Sequence, residues 1–196
     1  DYIKYLPRSI LDAGSGTGQG SRELLRRYPK SSVLALDIAC AMLQRSQKRM
    51  PRRWLPFLPR PVTHICGDIE RVPLKTSSVD MVWCNLALQW ANQPQQVFAE
   101  MHRVLQPGGL FMFSTFGPDT LKELRQAYAG TDGYSHVHRF IDMHDLGDML
   151  VATAFATPVM DMEQISMTYS DVTSLMRDLK SIGAHNVTRG RRQGLS

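Results

Sequence analysis

The chain has 196 residues, 43% of them hydrophobic and 21% charged, which is long enough for one domain with a substantial core. No apolar run approaches the ~20 residues of a membrane-spanning helix, and no signal-peptide pattern opens the chain. The formal net charge of +5 is uneven: residues 1–60 hold 12 Lys and Arg against 4 Asp and Glu, and the remainder holds 11 against 14.

In chain order, an apolar run predicts a strand over 8–12, followed by a glycine-rich turn and a helix over 18–28. A second strand over 32–37 ends in Asp37, and a helix over 39–49 follows. Arg45, Lys48 and Arg49 recur on that helix, and Arg52, Arg53 and Arg60 extend the patch. The patch reads either as a solvated face or as a docking surface for an acidic partner, nucleic acid or an acidic carrier protein. Pro51 to Pro61, with four prolines around Trp54 and Phe57, reads as a rigid loop.

Strands are expected next over 62–66 and 79–84. A helix over 94–105 places Val97, Met101, Val104 and Leu105 on one face, with Pro107-Gly108-Gly109 stopping it before a strand over 109–116. Helices over 119–129, 142–155 and 171–182 and a strand over 158–166 complete the pattern, with Asp142 and Ser170 as N-caps. Leu175, Met176, Leu179 and Ile182 form the stripe of the last helix. Gly130 to Phe140, rich in Gly, Tyr and His, falls where a substrate-binding insertion would lie. Strands alternating with helices predict an α/β fold, a doubly wound, mostly parallel sheet covered on both faces. Cys40, Cys66 and Cys84, an odd number without metal-type spacing, are expected to be isolated, buried thiols in a reducing compartment, which places the chain in the cytoplasm.

Glycines at 14, 16 and 18 let the backbone turn tightly and let a ligand approach, and the helix after them offers free N–H groups and its positive dipole end. Asp37, about twenty residues on, is placed to accept hydrogen bonds from a ribose diol. A lone Gly-x-Gly-x-Gly is shared by dinucleotide and S-adenosylmethionine sites. Asp12, however, stands two residues before the first glycine, where a dinucleotide site would carry glycine. Cys66-Gly67-Asp68-Ile69 puts a second carboxylate where it could accept from an adenine amino group, and Asn85 ends the fourth strand.

In this order and spacing the motifs resemble the class I S-adenosylmethionine-dependent methyltransferases, which have a Rossmann-like fold. The resemblance implies that Gly14, Ser15 and Gly16 lie against the methionine part of the cofactor, with Asp12 near its ammonium. It also implies Asp37 on the ribose hydroxyls, Ile38 packed on the adenine, Asp68 on the adenine amino group, Ile69 on the ring, and Asn85 near the methionine end and the transferred methyl.

Asn85 is followed by Leu86-Ala87-Leu88-Gln89-Trp90 and not by the Pro-Pro-aromatic of many amino-methyltransferases, which argues against nucleic-acid bases as acceptors despite the basic charge. Several longer stretches are similar to the malonyl-acyl-carrier-protein O-methyltransferases of biotin synthesis. They are Asn85 to Trp90, Phe113 to Leu124, His138-Arg139-Phe140, and Met176 to Ala184 with Asn186 and Gly190. This resemblance implies methylation of the free carboxylate of malonyl-acyl-carrier protein, or of malonyl-CoA, giving the methyl ester that enters biotin-precursor synthesis.

Such a carboxylate is ionised at neutral pH and needs no general base. Arg139 is the residue chosen to fix it, because a guanidinium holds a carboxylate bidentate and leaves a lone pair facing the methyl. Trp90 and Tyr134 are candidates to wall the substrate pocket, although Trp90 reads nearly as well as a core residue. His136, His138 and His144 suggest a metal, but the reaction needs none and no metal is expected. Compared with that family, the chain is read as one methyltransferase domain over 1–196, a fragment lacking the N-terminal lid and the last strand, with a substrate-binding insertion at about 117–155. A monomer is expected, with no nucleic-acid or membrane partner. The alternatives are a methyltransferase of quinone-type small molecules, a relative of respiratory-complex assembly factors that hydroxylate arginine, and a non-catalytic cofactor-binding module.

Overall fold

The computed structural model describes residues 6–50, 62–129 and 139–181. Five strands, β1 (Ser9–Ala13), β2 (Ser32–Asp37), β3 (Val62–Cys66), β4 (Val79–Asn85) and β5 (Leu105–Ser114), form one sheet in the order β3-β2-β1-β4-β5. Every pairing in it is parallel. The helices are α1 (Gln19–Arg27), α2 (Cys40–Arg49), α3 (Pro94–Val104), α4 (Lys122–Tyr128), α5 (Met143–Ala152) and α6 (Val172–Ser181). Strand order reverses between β1 and β4; Leu24 of α1 and Met50, just after α2, pack on one face of the sheet and Phe98 of α3 on the other.

The alternation of side chains explains why both faces hold. Ile10, Val33, Ala35 and Met81 join Leu24 of α1 and Val62 in one core, with Leu110 and Met112 packed against it. The intervening β5 residues, Phe111 and Phe113, turn the other way. Phe98 of α3 lies with ring centroids 6.0 and 5.5 Å from theirs, and Phe155 stacks on Phe111 at 5.2 Å. Val97, Met101 and Val104 are fully buried, as the helical stripe predicts, and so is Phe98, which the stripe does not include; Leu105, the fourth residue of the predicted stripe, begins β5 instead.

The chain divides into two compact units, one of residues 1–116 with 146–158 and one of residues 117–145 with 159–196. The first holds the sheet. In the second, α4 starts at Lys122 and not at 119, because Leu121 adopts a left-handed φ of 56° after a turn closed by Thr120 N–H on the Gly117 carbonyl. Asp142 caps α5 as expected, accepting the His144 N–H at 2.8 Å. Asp171, not Ser170, caps α6: its carboxylate accepts the Ser174 N–H at 2.8 Å.

Three further expectations are corrected. Residues 158–166 form no strand; Val159, Met162 and Ile165 are exposed, and no described strand supplies a ladder partner. Pro107-Gly108-Gly109 does not stop α3, which ends at Val104. Instead it forms an irregularity inside β5, where the pairing jumps from Val79–Leu105 to Met81–Leu110 and Gly108 takes a φ of 77°. Cys40 and Cys66 are not isolated, buried thiols: both are exposed and joined in a disulfide, and only Cys84 is free and buried. Parallel register brings them together, since Cys66 pairs with Asp37 and Cys40 follows Asp37 by three residues.

Closing a loop over a sequence separation of 26 stabilises a fold by about 3.5 kcal/mol in the chain-entropy estimate. Thiol titration of the denatured, unreduced chain should therefore find one reactive cysteine, and reduction should lower the unfolding midpoint. Three reactive thiols would contradict the pairing.

Candidate active site

The glycine loop after β1 is held by the end of β2. The Leu36 carbonyl accepts the N–H groups of Gly14 and Ser15 at 2.8 and 2.9 Å, and the Asp37 carboxylate accepts the Gly16 N–H at 2.7 Å. At Gly14, with φ +78°, a Cβ would stand 2.2 Å from the Ala87 Cβ, so Ala87, in the turn after β4, packs directly on the loop. At Gly16, with φ +52°, a Cβ would meet nothing within 4 Å. The loop is thus pressed against protein at one point and open at the next, where a ligand can lie on bare backbone.

The second Asp37 oxygen accepts the Ala39 N–H at 2.8 Å. A carboxylate with two such bonds keeps lone pairs for a diol. Ile38 beside it is 71% exposed, an apolar surface offered to solvent. Just past the end of β3, Asp68 makes a local turn by accepting the Glu70 N–H at 2.9 Å, with Ile69 partly buried between them. Glu70 then accepts the N–H groups of Asn92 and Gln93 and anchors the start of α3. The Cys40–Cys66 bond staples the segments that carry Asp37 and Asp68.

Asp12 lies beneath the loop, 2% exposed. Ser21, in the first turn of α1, donates to it from both its hydroxyl and its backbone N–H, so Asp12 caps a helix that has no side-chain cap of its own. Gly20 leaves room for this, since a Cβ there would come within 3.2 Å of the carboxylate. Burial pushes the Asp12 carboxyl up to about 6, against the Ser21 hydrogen bonds, and the Asp37 charge adds to the rise. Nothing in the spacing of the glycines marks Ser21, Ala87 or Ser114; they reach the site through a turn of helix, the turn after β4 and a strand pairing.

Asn85 is exposed at the end of β4, with its Oδ1 accepting the Ser114 hydroxyl at 2.8 Å. Trp90 closes a 3-10 turn (Leu88–Trp90) and is 39% exposed, so it is not a core residue. Burial, with Asp12 nearby, pushes the Cys84 thiol up to about 12, which leaves no thiolate at neutral pH. Arg139 is exposed and belongs to the second unit. Tyr134, His136, His138 and residues 51–61, with Arg52, Arg53 and Arg60, lie outside the described residues.

The residues present fit S-adenosylmethionine. The cradle at Gly16 is open, the Ser15 hydroxyl is buried with no partner among the described residues, and an exposed isoleucine adjoins the Asp37 carboxylate.

A buried carboxyl moved from 3.8 to about 6 gives a contribution to stability that is fully present below pH 3.8 and lost as pH rises through 6. The loss is about 3 kcal/mol. Asp12→Asn without cofactor should gain up to that amount at pH 7.5 and little at pH 4, read by denaturant unfolding. An equal effect at both pH values would contradict the burial account.

The methyltransferase domain family matches residues 11–113, the span that carries the glycine loop, Asp37, Asp68 and Asn85. Over its whole length the chain is 56% identical to the malonyl-acyl-carrier-protein O-methyltransferases of Nitrosospira multiformis and Laribacter hongkongensis, covering 67% and 66% of those proteins. It spans about two thirds of the length of these curated relatives. Its fold superposes on the crystal structure of an S-adenosylmethionine-dependent methyltransferase from Mesorhizobium loti with a TM-score of 0.62, at 21% identity over 91% of this chain and 87% of that one. The chain therefore belongs to the methyltransferase domain family and, within it, to the S-adenosylmethionine-dependent malonyl-acyl-carrier-protein O-methyltransferases.

Proposed function

We propose that this chain methylates the free carboxylate of a malonyl thioester on acyl-carrier protein, with malonyl-CoA as the smaller form of the same acceptor. The observation that carries this reading is the 56% identity over the entire chain, which extends past the generic domain match into the second unit. Residues 1–196 act in this reading as one catalytic domain, a cytoplasmic monomer, with about 117–155 forming its substrate side. In that setting the Cys40–Cys66 bond is open to reduction. No described helix is long and apolar enough to cross a membrane.

When bound, S-adenosylmethionine supplies a methyl group activated by a sulfonium charge. Gly14, Ser15 and Gly16 would cradle its methionine part, with Asp12 near the ammonium. Asp37 and Ile38 would hold the ribose and adenine, and Asp68 and Ile69 the far edge of the base. Asn85 would stand near the methyl. Methyl transfer to the substrate carboxylate would exchange an S–C bond for an O–C bond, so no residue of the chain would need to accept a proton. Transfer cancels one negative and one positive charge, so the residues around it should orient both partners without binding the carboxylate too tightly.

Arg139 is the cation assigned to hold the carboxylate, with Trp90 and Tyr134 walling the acceptor. Arg45, Lys48 and Arg49 are exposed along α2 and suit an acidic carrier.

The test uses the full-length protein with methyl-labelled cofactor and malonyl-carrier protein. Label should appear as a base-labile ester on the carrier and not on free malonate; no transfer would overturn the assignment. Arg139→Ala should lower kcat/KM about a hundredfold with cofactor affinity intact. Loss of cofactor binding in that variant would remove Arg139 from the acceptor side. Reversing charge at Lys48 and Arg49 should slow carrier docking at low salt and matter little at 1 M salt.

A further inference from the structure

At the carboxyl edge of the sheet, Asn85 of β4 stands in register with Ser114 of β5. The Leu86 N–H reaches the Ser114 carbonyl at 3.0 Å and the Ser114 Oγ at 3.2 Å. The hydroxyl accepts the Leu86 N–H and donates its proton to the Asn85 Oδ1 at 2.8 Å. With its oxygen on the hydroxyl, the Asn85 carboxamide turns its NH2 group the other way. Among the described residues nothing accepts a hydrogen bond from that NH2 group, and Asn85 is exposed.

The turn that follows is also pinned. Leu86 holds a left-handed φ of 50°, which costs a branched residue of this kind about 1 kcal/mol. Its N–H is held by Ser114, and its carbonyl accepts the Gln89 side-chain amide at 2.6 Å. Two residues past Asn85, Ala87 touches the glycine loop at Gly14. Asn85 thus ends β4 at the point where strand order reverses, beside the open loop, with a fixed and unused donor.

We propose that the Asn85 NH2 group donates to the acceptor carboxylate beside the transferred methyl, and that Ser114 is a positioning residue that sets its direction. This rests on the carboxyl-methylation reading above. The chemistry favours an amide here. A carboxylate nucleophile needs its direction fixed, yet a second cation would hold its electrons in the ground state. A neutral donor lacks the full Coulomb attraction of a second cation, so it orients with less damping.

The experiment measures the full-length chain with malonyl-carrier protein and, separately, S-adenosylhomocysteine affinity by calorimetry. Asn85→Ala should raise the KM for malonyl-carrier protein about tenfold, with S-adenosylhomocysteine affinity unchanged within twofold. Ser114→Ala should raise it about threefold, and the double variant should be no worse than Asn85→Ala, the mark of residues acting as a unit. Asn85→Asp should be worse than Asn85→Ala at pH 8. Additive effects, an unchanged KM, or a parallel loss of S-adenosylhomocysteine binding would each overturn the assignment. Asn85 is exposed, so its variants decide the matter even if Ser114→Ala fails to fold. If the unmodified chain transfers no methyl to the carrier, the carboxyl-methylation reading fails and this one falls with it. Normal transfer with indifferent Asn85 variants would sink this inference alone.

Discussion

The bond from the Gly16 N–H to the Asp37 carboxylate is the interaction on which the site depends. It ties a loop with φ above +50° at three glycines to the end of the neighbouring strand, and so turns a flexible segment into a shaped one. The Leu36 carbonyl adds two bonds to the same loop, and Ala87 closes on Gly14 from the β4 side. Three strand ends thereby converge on one short turn. The same Asp37 carboxylate has capacity left for a ligand, so anchoring the loop and offering an acceptor are one arrangement.

The charge beneath the loop runs against stability. Asp12 is buried, close enough to Asp37 to feel its charge, and relieved by Ser21 only in part. A neutral residue there would leave a more stable apo protein but no negative charge for a cationic ligand. Such a trade is common where binding matters more than rigidity. Elsewhere the molecule satisfies its charges conventionally, as where Arg103 bonds Glu100 and the carbonyls of Val72 and Leu74 and fixes the crossover from β3 to β4 on α3.

What could be read from the sequence follows a physical divide. Strands β2 and β3 match their expected limits, because apolar runs bounded by turn residues encode them locally. Gly14, Gly16 and Asp37 were legible for a related reason: a backbone turn with positive φ and an acidic strand end leave a residue-type signature. Ser21 and Ser114 left none, since a serine acquires its role only when another element brings a carboxylate or carboxamide to it. The cysteines misled in the same way, because their 26-residue separation conceals adjacent strand ends. Pro107-Gly108-Gly109 read as a helix stop, yet the chain leaves α3 earlier and spends those residues on an irregular strand pairing. The alternating apolar residues at 158–166 resemble a strand, but alternation specifies one only where a partner offers hydrogen bonds.

The central claim is that the loop, Asp37 and Ile38 form an adenosyl site. Calorimetric titration of the full chain with S-adenosylhomocysteine, against NAD as the competing dinucleotide, tests it most directly. The account predicts a single site of roughly micromolar affinity for S-adenosylhomocysteine, weakened at least tenfold by Asp37→Ala, and no binding of NAD. Equal binding of NAD, or an Asp37→Ala variant that binds S-adenosylhomocysteine undiminished, would contradict it.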